Sequence, residues 1–193
     1  MKWLRSILGV TLGTWLLVGL AYPLVMTGIS QVLFPYQANG SVVKTRGQVV
    51  ASLHVGQYYH QPQYFWGRPS ATTPPYNSYV SAPSNLGPTN KLLVDHVKAR
   101  IKALQQSIPG LKVSQIPISL VESSGSGLDP DISVQSALIQ IPRIAHATGL
   151  SSGFLTRLVD QHVAGPQFGV FGRSRINVME LNLAVYKTLH PHS

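Results

Sequence analysis

An uncharged stretch near the amino terminus constrains this chain more than any other feature. No charged residue occurs from Ser6 to Val43, and the most apolar part, Ile7 to Met26, is long enough as a helix to cover the roughly 30 Å hydrocarbon layer of a bilayer. A secretory signal peptide has a shorter apolar region and a small-residue cleavage site, whereas the following residues, TGISQVLFPY, contain no A-x-A pattern. The sequence therefore predicts an uncleaved transmembrane helix, with its core at about residues 7–26 of an amino-terminal segment 1–34.

The basic residues around this stretch predict its orientation. Lys2 and Arg5 precede it closely, whereas Lys44 and Arg46 follow at a distance. Because basic residues next to a span tend to remain in the cytoplasm, the amino terminus is predicted to be cytoplasmic and residues 35–193 extracytoplasmic. The predicted localisation is the cell inner membrane, crossed once and in contact with the lipid bilayer.

Composition argues against several classes of site. The chain has no cysteine, so it can form neither a disulfide nor a thiolate metal site. The formal net charge is +9, yet the closest basic cluster, Lys98, Arg100 and Lys102, falls on one predicted helix, and no basic block typical of nucleic-acid binding occurs. The seven histidines form no H-E-x-x-H motif. We therefore expect no nucleic-acid partner and no metal site.

Residues 35–193 are predicted to form one α+β domain. Short β-branched runs after Asn39-Gly40 are typical of strands, and SQIPISLVES, residues 114–123, is typical of another strand. A helix is predicted from a cap at Thr89 or Asn90 to Pro109-Gly110. Further helices are predicted at 133–149 with an interruption at Pro142, in SSGFLTRLVDQHV, and in NVMELNLAVYKTL. Helices and strands do not alternate regularly, which favours the α+β class.

The segment 61–90, rich in Pro, Ser, Tyr and Asn, separates the early strands from the first of these helices. It is long for a connection without regular secondary structure. Its aromatic residues indicate that it folds against the domain.

The loop SSGSGLDPDIS, Ser123 to Ser133, has the glycines of an anion-binding turn. It lacks the Gly-Lys pair of a P-loop, and the third glycine position of the dinucleotide pattern is Pro130. The favoured interpretation is a structural turn that leads into a helix capped by Ser133. The alternative is direct phosphate contact by Ser126 and Gly127.

Three further residues carry candidate chemistry. Gln140 and Arg143 lie three apart on a predicted helix and share a face; a glutamine can pair with an adenine edge and an arginine can bind phosphate. The alternative is an ordinary polar helix face. The sequence GLSSG matches the nucleophile pattern G-x-S-x-G at Ser151, but a helix is predicted before it where the motif requires a strand. Ser151 or Ser152 is therefore interpreted as a helix cap.

Several collinear motifs together carry a resemblance: FPYQANGS, FWGRPSAT, PYN, SNLGPTN, SGSGLDPDIS, QIPRIA and NVMELNLA. In this order, and with one amino-terminal membrane helix, the chain resembles the C subunit of Kdp-type potassium-transporting ATPases along nearly its whole length. The resemblance implies an accessory, non-catalytic subunit that is needed for assembly and raises the ATP affinity of the hydrolysing subunit as a catalytic chaperone. The expected partners are the ATP-hydrolysing and potassium-conducting membrane subunits.

The resemblance also implies which residues would contact nucleotide: Gln140, Arg143, Ser126 and Gly127. No firmly bound cofactor is expected, since ATP is expected to bind the partner ATPase subunit. ATP is cytoplasmic, whereas residues 35–193 are predicted to lie outside, so the expected effect on ATP affinity is a coupling through the membrane subunits. The alternative functions are a membrane-anchored extracytoplasmic binding protein and a serine hydrolase that uses Ser151.

Overall fold

The computed structural model describes residues 2–45 and 47–191. Arg46, one of the residues in the orientation argument, lies outside this part. By internal contacts the chain divides into two units, Met1–Val50 and Ala51–Ser193. The domain boundary after residue 34 stays a prediction.

The first unit contains one long helix. It runs from Lys2 to Leu33 as α1 (Lys2–Leu16), a π-helical segment (Leu17–Ala21) and α2 (Tyr22–Leu33). The π-helical segment lies just before Pro23, whose ring would clash with the carbonyl four residues earlier in a regular helix. No residue of the three segments is buried. Among the described residues this is the one helix long and apolar enough to cross a membrane, as the sequence predicted.

Short elements follow this helix. They are α3 (Pro35–Ala38), β1 (Val42–Thr45) and β2 (Gln48–Ser52), and the two strands pair in a two-stranded sheet. The predicted strands after Asn39-Gly40 are thereby confirmed.

The second unit is built on a small antiparallel sheet. Its strands are β3 (Asp131–Ser133), β4 (Val163–Ala164) and β5 (Arg175–Asn177), with β5 in the middle. Ile176 of β5 is opposite Ile132 on one side and Val163 on the other. Four helices pack near this sheet: α5 (Val134–Leu138), α6 (Ile141–Thr148), α7 (Ser152–Gln161) and α8 (Val178–Leu189). These helices and the antiparallel sheet, in the strand order β3-β5-β4, confirm the α+β class.

The main apolar cluster of this unit gathers residues of the sheet, of α5 to α8 and of the Pro-rich segment 61–90. Its buried members are Phe65, Ile132, Ala137, Ile141, Ile144, Leu155, Leu158, Val159, Ile176, Val178, Leu181 and Val185. Phe65 is fully buried although it belongs to the irregular Pro-rich segment. The prediction that this segment folds against the domain is confirmed.

A second, smaller cluster lies under α4 (Lys91–Ser107). Its buried members are Leu104, Leu120 and Val121, with Trp66 packed beside them. The predicted strand at 114–123 is wrong: the segment forms two 3-10 turns, Val113–Gln115 and Ile118–Leu120. The apolar contact with α4 is made by single buried side chains such as Leu120. A 3-10 turn can place such a side chain against α4 as well as a strand can.

The helix ends agree closely with the local sequence signals. Asn90, Ser133, Ser151 and Asn177 each accept a main-chain N–H bond as the amino-terminal cap of a helix. Gly149 ends α6 in the left-handed conformation, with φ of 75°. The predicted interruption at Pro142 is also confirmed, because α5 ends at Leu138 and a new helix begins at Ile141.

Candidate functional site

Gln140 sits in the interruption between α5 and α6, and its side chain is fully buried. Its amide pairs with the main chain of Trp66 in both directions. The Trp66 N–H donates to Oε1 over 2.8 Å, and Nε2 donates to the Trp66 carbonyl over 3.1 Å. Nε2 also donates to the carbonyl of Ser136 over 2.9 Å. A bidentate amide pair is thus present, but its partner is the main chain of Trp66 in this same chain.

Asn182 of α8 makes the same kind of pair with the neighbouring residue. The Phe65 N–H donates to Asn182 Oδ1 over 2.7 Å, and Asn182 Nδ2 donates to the Phe65 carbonyl over 2.9 Å. Gln140, Asn182 and Phe65 are buried and Trp66 is partly buried, and an unpaired polar group in such a place is costly. Two successive residues of an irregular segment are therefore bonded by amide side chains, as a strand would be bonded by neighbouring strands.

Arg143 of α6 completes this arrangement. Its guanidinium donates to the carbonyls of Pro62, over 2.7 Å, and Tyr64, over 3.0 Å. It also donates to Gln140 Oε1 over 2.7 Å and lies 4.1 Å above the centroid of the Trp66 ring. Burial lowers the pKa of Arg143 to about 10, which leaves it protonated and able to donate at neutral pH. We call Gln140, Arg143 and Asn182 the amide clamp.

The loop 123–131, which we call the serine–glycine loop, uses its own side chains to bind its N–H groups. The N–H of Gly127 donates to Ser124 Oγ over 2.9 Å, and that of Leu128 donates to Ser126 Oγ over 3.1 Å. The N–H of Asp131 donates to an Asp129 carboxylate oxygen over 2.9 Å. An anion site of the nest type depends on free, convergent N–H groups, and these three are engaged within the loop.

The carbonyl groups of the serine–glycine loop bind other parts of the unit. The Ser126 carbonyl accepts from the Ala82 N–H over 3.0 Å, and the Leu128 carbonyl accepts from the Gly56 N–H over 2.7 Å. The Gly127 carbonyl accepts from the Ser70 hydroxyl over 2.7 Å. Two of these carbonyls therefore hold the Pro-rich segment, at Ser70 and Ala82, and the third holds the residues just before it, at Gly56.

One ion pair supports the same contact. Arg68 Nη1 lies 3.0 Å from a carboxylate oxygen of Asp129, and both side chains are about a quarter exposed. Tyr76 donates its hydroxyl to the Arg68 carbonyl over 2.6 Å. Burial, with a smaller effect of Asp129, raises the pKa of Tyr76 above its ordinary value, so the hydroxyl remains a donor.

Gly127 is required by this packing. Its φ is 70°, in the region that favours glycine, and a Cβ atom there would lie 2.7 Å from the Ala82 carbonyl oxygen and 3.0 Å from Thr72 Cγ2. The neighbouring Gly125 has no atom within 4 Å of such a Cβ position. Only one of the two glycines is therefore fixed by contact with the Pro-rich segment.

A cavity of about 360 Å³ lies between the clamped segment and α4. Its walls include the aromatic side chains of Tyr58, Tyr59, Trp66 and Tyr76. Arg100 of α4 also lines it, and its guanidinium donates to the Val121 carbonyl over 2.7 Å. Arg100 is thus partly buried, whereas Lys98 and Lys102 on the same helix are exposed.

The family model described as KdpC, the c chain of K⁺-transporting ATPase, matches residues 4–187, which is nearly the whole chain. The chain belongs to this family. The resemblance seen in the sequence motifs is confirmed.

Similar proteins support the same assignment. The potassium-transporting ATPase KdpC subunit of Paraburkholderia phytofirmans is 51% identical over 174 residues, covering 89% of this chain and 90% of that protein. That of Paraburkholderia xenovorans is 52% identical over 171 residues, with 88% of each chain covered. That of Burkholderia mallei is 51% identical over 169 residues, with 86% of each covered.

The structure brings the four predicted nucleotide contacts into two places. Gln140 and Arg143 are in direct contact, as their spacing indicated, but both are buried in the amide clamp. They do not form an exposed polar helix face. Ser126 and Gly127 lie together in the serine–glycine loop, against the Pro-rich segment. Nucleotide contact by these four residues stays a prediction.

Ser151 and Asn182 lie outside those four positions. Ser151 of the G-x-S-x-G match caps α7, accepting from the Phe154 N–H over 3.2 Å, and it follows helix α6, as expected for a cap. Asn182, in contrast, was missed by sequence reasoning. The available signal was a polar residue four positions after Val178 on the apolar face of a predicted helix.

Proposed function

We propose that this chain is an accessory subunit of an ATP-driven potassium uptake complex and that it raises the ATP affinity of the hydrolysing subunit without contacting nucleotide. Family membership supports the complex, because the similar proteins are potassium-transporting ATPase subunits. The observation that carries the second part is the full burial of the Gln140 amide and its pairing with Trp66. A side chain already bonded in this way has no group left to read an adenine edge.

The proposed location is the inner membrane, with the helix from Lys2 to Leu33 as anchor and the second unit outside the cytoplasm. Lys2 and Arg5 at the start of the helix support this orientation. On that side of the membrane ATP is absent, so any influence on the hydrolysing subunit is a coupling between conformations of the assembled subunits.

The proposed partners are the membrane subunits of the same complex, contacted partly through Gly9 and Gly13. A Cβ at either glycine would meet no atom within 4 Å, so both positions are open to a neighbouring helix. Replacing both with leucine is expected to reduce recovery of the assembled complex several-fold. Gly19 and Gly28 are equally open but differently spaced, so the matched double replacement there is the control. Equal losses in the two double variants would contradict a specific role of the four-residue spacing.

The test of the main proposal separates assembly from nucleotide binding. Gln140→Ala is expected to lower the amount of chain that co-purifies with the complex, because it leaves the N–H and carbonyl of Trp66 without their side-chain partner. Complexes that do retain the chain are expected to hydrolyse ATP with an unchanged KM for ATP. Normal recovery of the complex combined with a raised KM would overturn the proposal in favour of direct contact.

Orientation and the absence of intrinsic catalysis are tested separately. The chain has no cysteine, so Gln106→Cys on the exposed side of α4 provides a single label. This cysteine is expected to react with a membrane-impermeant maleimide while the inner membrane is intact. Protection of the cysteine until the inner membrane is permeabilised would reverse the orientation.

A serine-reactive fluorophosphonate is expected to leave the chain unlabelled, and labelling that disappears in Ser151→Ala would support the hydrolase alternative.

A further inference from the structure

The connection between β4 and β5 presents apolar side chains to solvent. We call residues 165–174, GPQFGVFGRS, the β4–β5 tip. Phe168 is 85% exposed, Val170 77% and Phe171 68%. Three adjacent apolar side chains at this exposure form an unusual surface on a domain whose other large apolar residues mostly pack into two clusters.

The backbone of the tip is held in one shape. Gln167 and Phe171 exchange two main-chain bonds, with the Gln167 N–H donating over 2.8 Å and the Phe171 N–H over 2.9 Å. The Val170 N–H donates to the Gln167 carbonyl over 3.2 Å, which closes a tight turn over Phe168 and Gly169. Both turn residues have positive φ, 54° and 75°. A phenylalanine in this region is strained, and such strain is typical of positions kept for a purpose other than stability.

The charges around the tip favour binding to an anionic surface. The tip sequence contains Arg173 and no acidic residue. Just beyond it, Arg175 is bound to Asp131 over 2.9 Å, which anchors the base of the tip to β3. Arg173 is exposed. An apolar end with a basic residue behind it is the arrangement that aromatic and basic side chains adopt at a bilayer interface.

Size distinguishes a lipid surface from a protein partner. A specific protein interface needs about 800 Å² on each side, which three side chains on one turn do not supply. A bilayer interface accepts a few aromatic side chains, and their weak attraction suffices when the domain is already tethered. The helix from Lys2 to Leu33 supplies such a tether.

We propose that the β4–β5 tip inserts Phe168 and Phe171 into the headgroup region of the bilayer that anchors the chain, with Arg173 on anionic lipid phosphates. The occupant is the lipid surface itself. This inference rests on the membrane location proposed above and is independent of any effect on ATP affinity.

The experiment uses the full chain in vesicles of phosphatidylcholine and phosphatidylglycerol. Val170→Cys, labelled with an environment-sensitive fluorophore, reports on the tip while both phenylalanines are retained. Leu20→Cys in the apolar helix is the reference for a lipid position, and Tyr79→Cys, at a residue 97% exposed, is the reference for an aqueous one. Doxyl-labelled lipids quench from the bilayer and iodide quenches from water.

At position 170 we expect clear quenching by doxyl lipid and several-fold less quenching by iodide than at position 79. Phe168→Ser combined with Phe171→Ser should remove the lipid quenching. Ile118→Ser, which also removes an exposed apolar side chain, should leave it unchanged. Arg173→Gln should weaken its dependence on the phosphatidylglycerol fraction.

Iodide quenching at position 170 as strong as at position 79, with position 20 quenched by lipid, would overturn this inference and leave the proposed function intact. Protection of position 170 only in the assembled complex would identify a protein partner at the tip and also overturn it. Failure of lipid quenching at position 20 would overturn the membrane anchor, and the inference with it.

Discussion

Two irregular segments of the second unit are held in contrasting ways. Residues 61–66 are bonded by the buried side chains of the amide clamp. Residues 68–82 are bonded to one another largely by their own side chains, such as the hydroxyls of Ser70 and Thr72, and to the serine–glycine loop mostly at its main-chain carbonyls. In the first case the bonding depends on three side chains, so a single substitution removes several bonds. In the second case the serine–glycine loop supplies main-chain acceptors, so these bonds survive a side-chain change within the loop, and the backbone shape of the loop is critical.

The largest expected loss of stability follows a substitution in the amide clamp. Gln140→Ala leaves the N–H and carbonyl of the partly buried Trp66 without their fully buried partner, which is expected to lower the free energy of unfolding by about 2–4 kcal/mol. The measurement is denaturant unfolding of the detergent-solubilised full chain. Gln140→Met, which keeps most of the volume, separates lost bonds from a cavity; if it restores the stability, packing rather than bonding holds the segment.

Asn182→Ala is expected to have a similar effect, about 2–3 kcal/mol, because it releases the Phe65 main chain in the same way. The double variant with Gln140→Ala tests whether the two amides act on one segment. A combined loss smaller than the sum is expected, since either single change already frees the segment. Strict additivity would contradict a shared clamp.

Gly127→Ala tests the role of backbone shape in the second region. Its positive φ and the close Ala82 carbonyl predict a loss of about 1–3 kcal/mol. Gly125→Ala is the matched control, two residues away and in open space, and should change stability by less than about 1 kcal/mol. Equal effects at the two glycines, measured in the same unfolding experiment, would remove the reason given for Gly127.

Loss of the partly exposed ion pair in the second region should lower the stability least. Arg68→Met breaks the partly exposed pair with Asp129 and is expected to lower the free energy of unfolding by about 1 kcal/mol or less, with a smaller effect at high salt. Arg157→Met, at an exposed arginine of α7, is the control for loss of a positive charge. A loss at Arg68 as large as that at Gln140 would erase the contrast between the regions.

Local signals predicted the helices of the second unit but not its sheet, since none of β3, β4 and β5 was predicted. Caps at Asn90, Ser133 and Asn177 and the break at Pro142 depend on bonds within a few residues, so sequence alone reveals them. The strand predicted at 114–123 was wrong because alternating apolar residues around Pro117 suit 3-10 turns equally well. Packing against α4, distant in sequence, decided between them.

The site was only partly predictable. The spacing of Gln140 and Arg143 correctly brought the two side chains together, and the glycine pattern correctly indicated a tight turn. The groups that Gln140 and Arg143 bind, however, are peptide groups of residues 61–66, which are far away in the sequence. Peptide groups are present at every residue, so no residue type marks them as partners. An amide that can pair with adenine can pair equally well with a peptide group, and sequence does not distinguish the two.

The central claim is that Gln140 and Arg143 bind this chain's own backbone and leave nucleotide to a partner subunit. Its most direct test is the thermal unfolding midpoint of the detergent-solubilised full chain with and without millimolar Mg-ATP. A ligand present at 100 times its Kd stabilises the folded state by about 2.7 kcal/mol, so direct binding would raise the midpoint by several degrees. We expect no ATP-dependent shift, together with a lower midpoint of Gln140→Ala in the absence of ATP. A rise with ATP that is lost in Gln140→Ala would contradict the account.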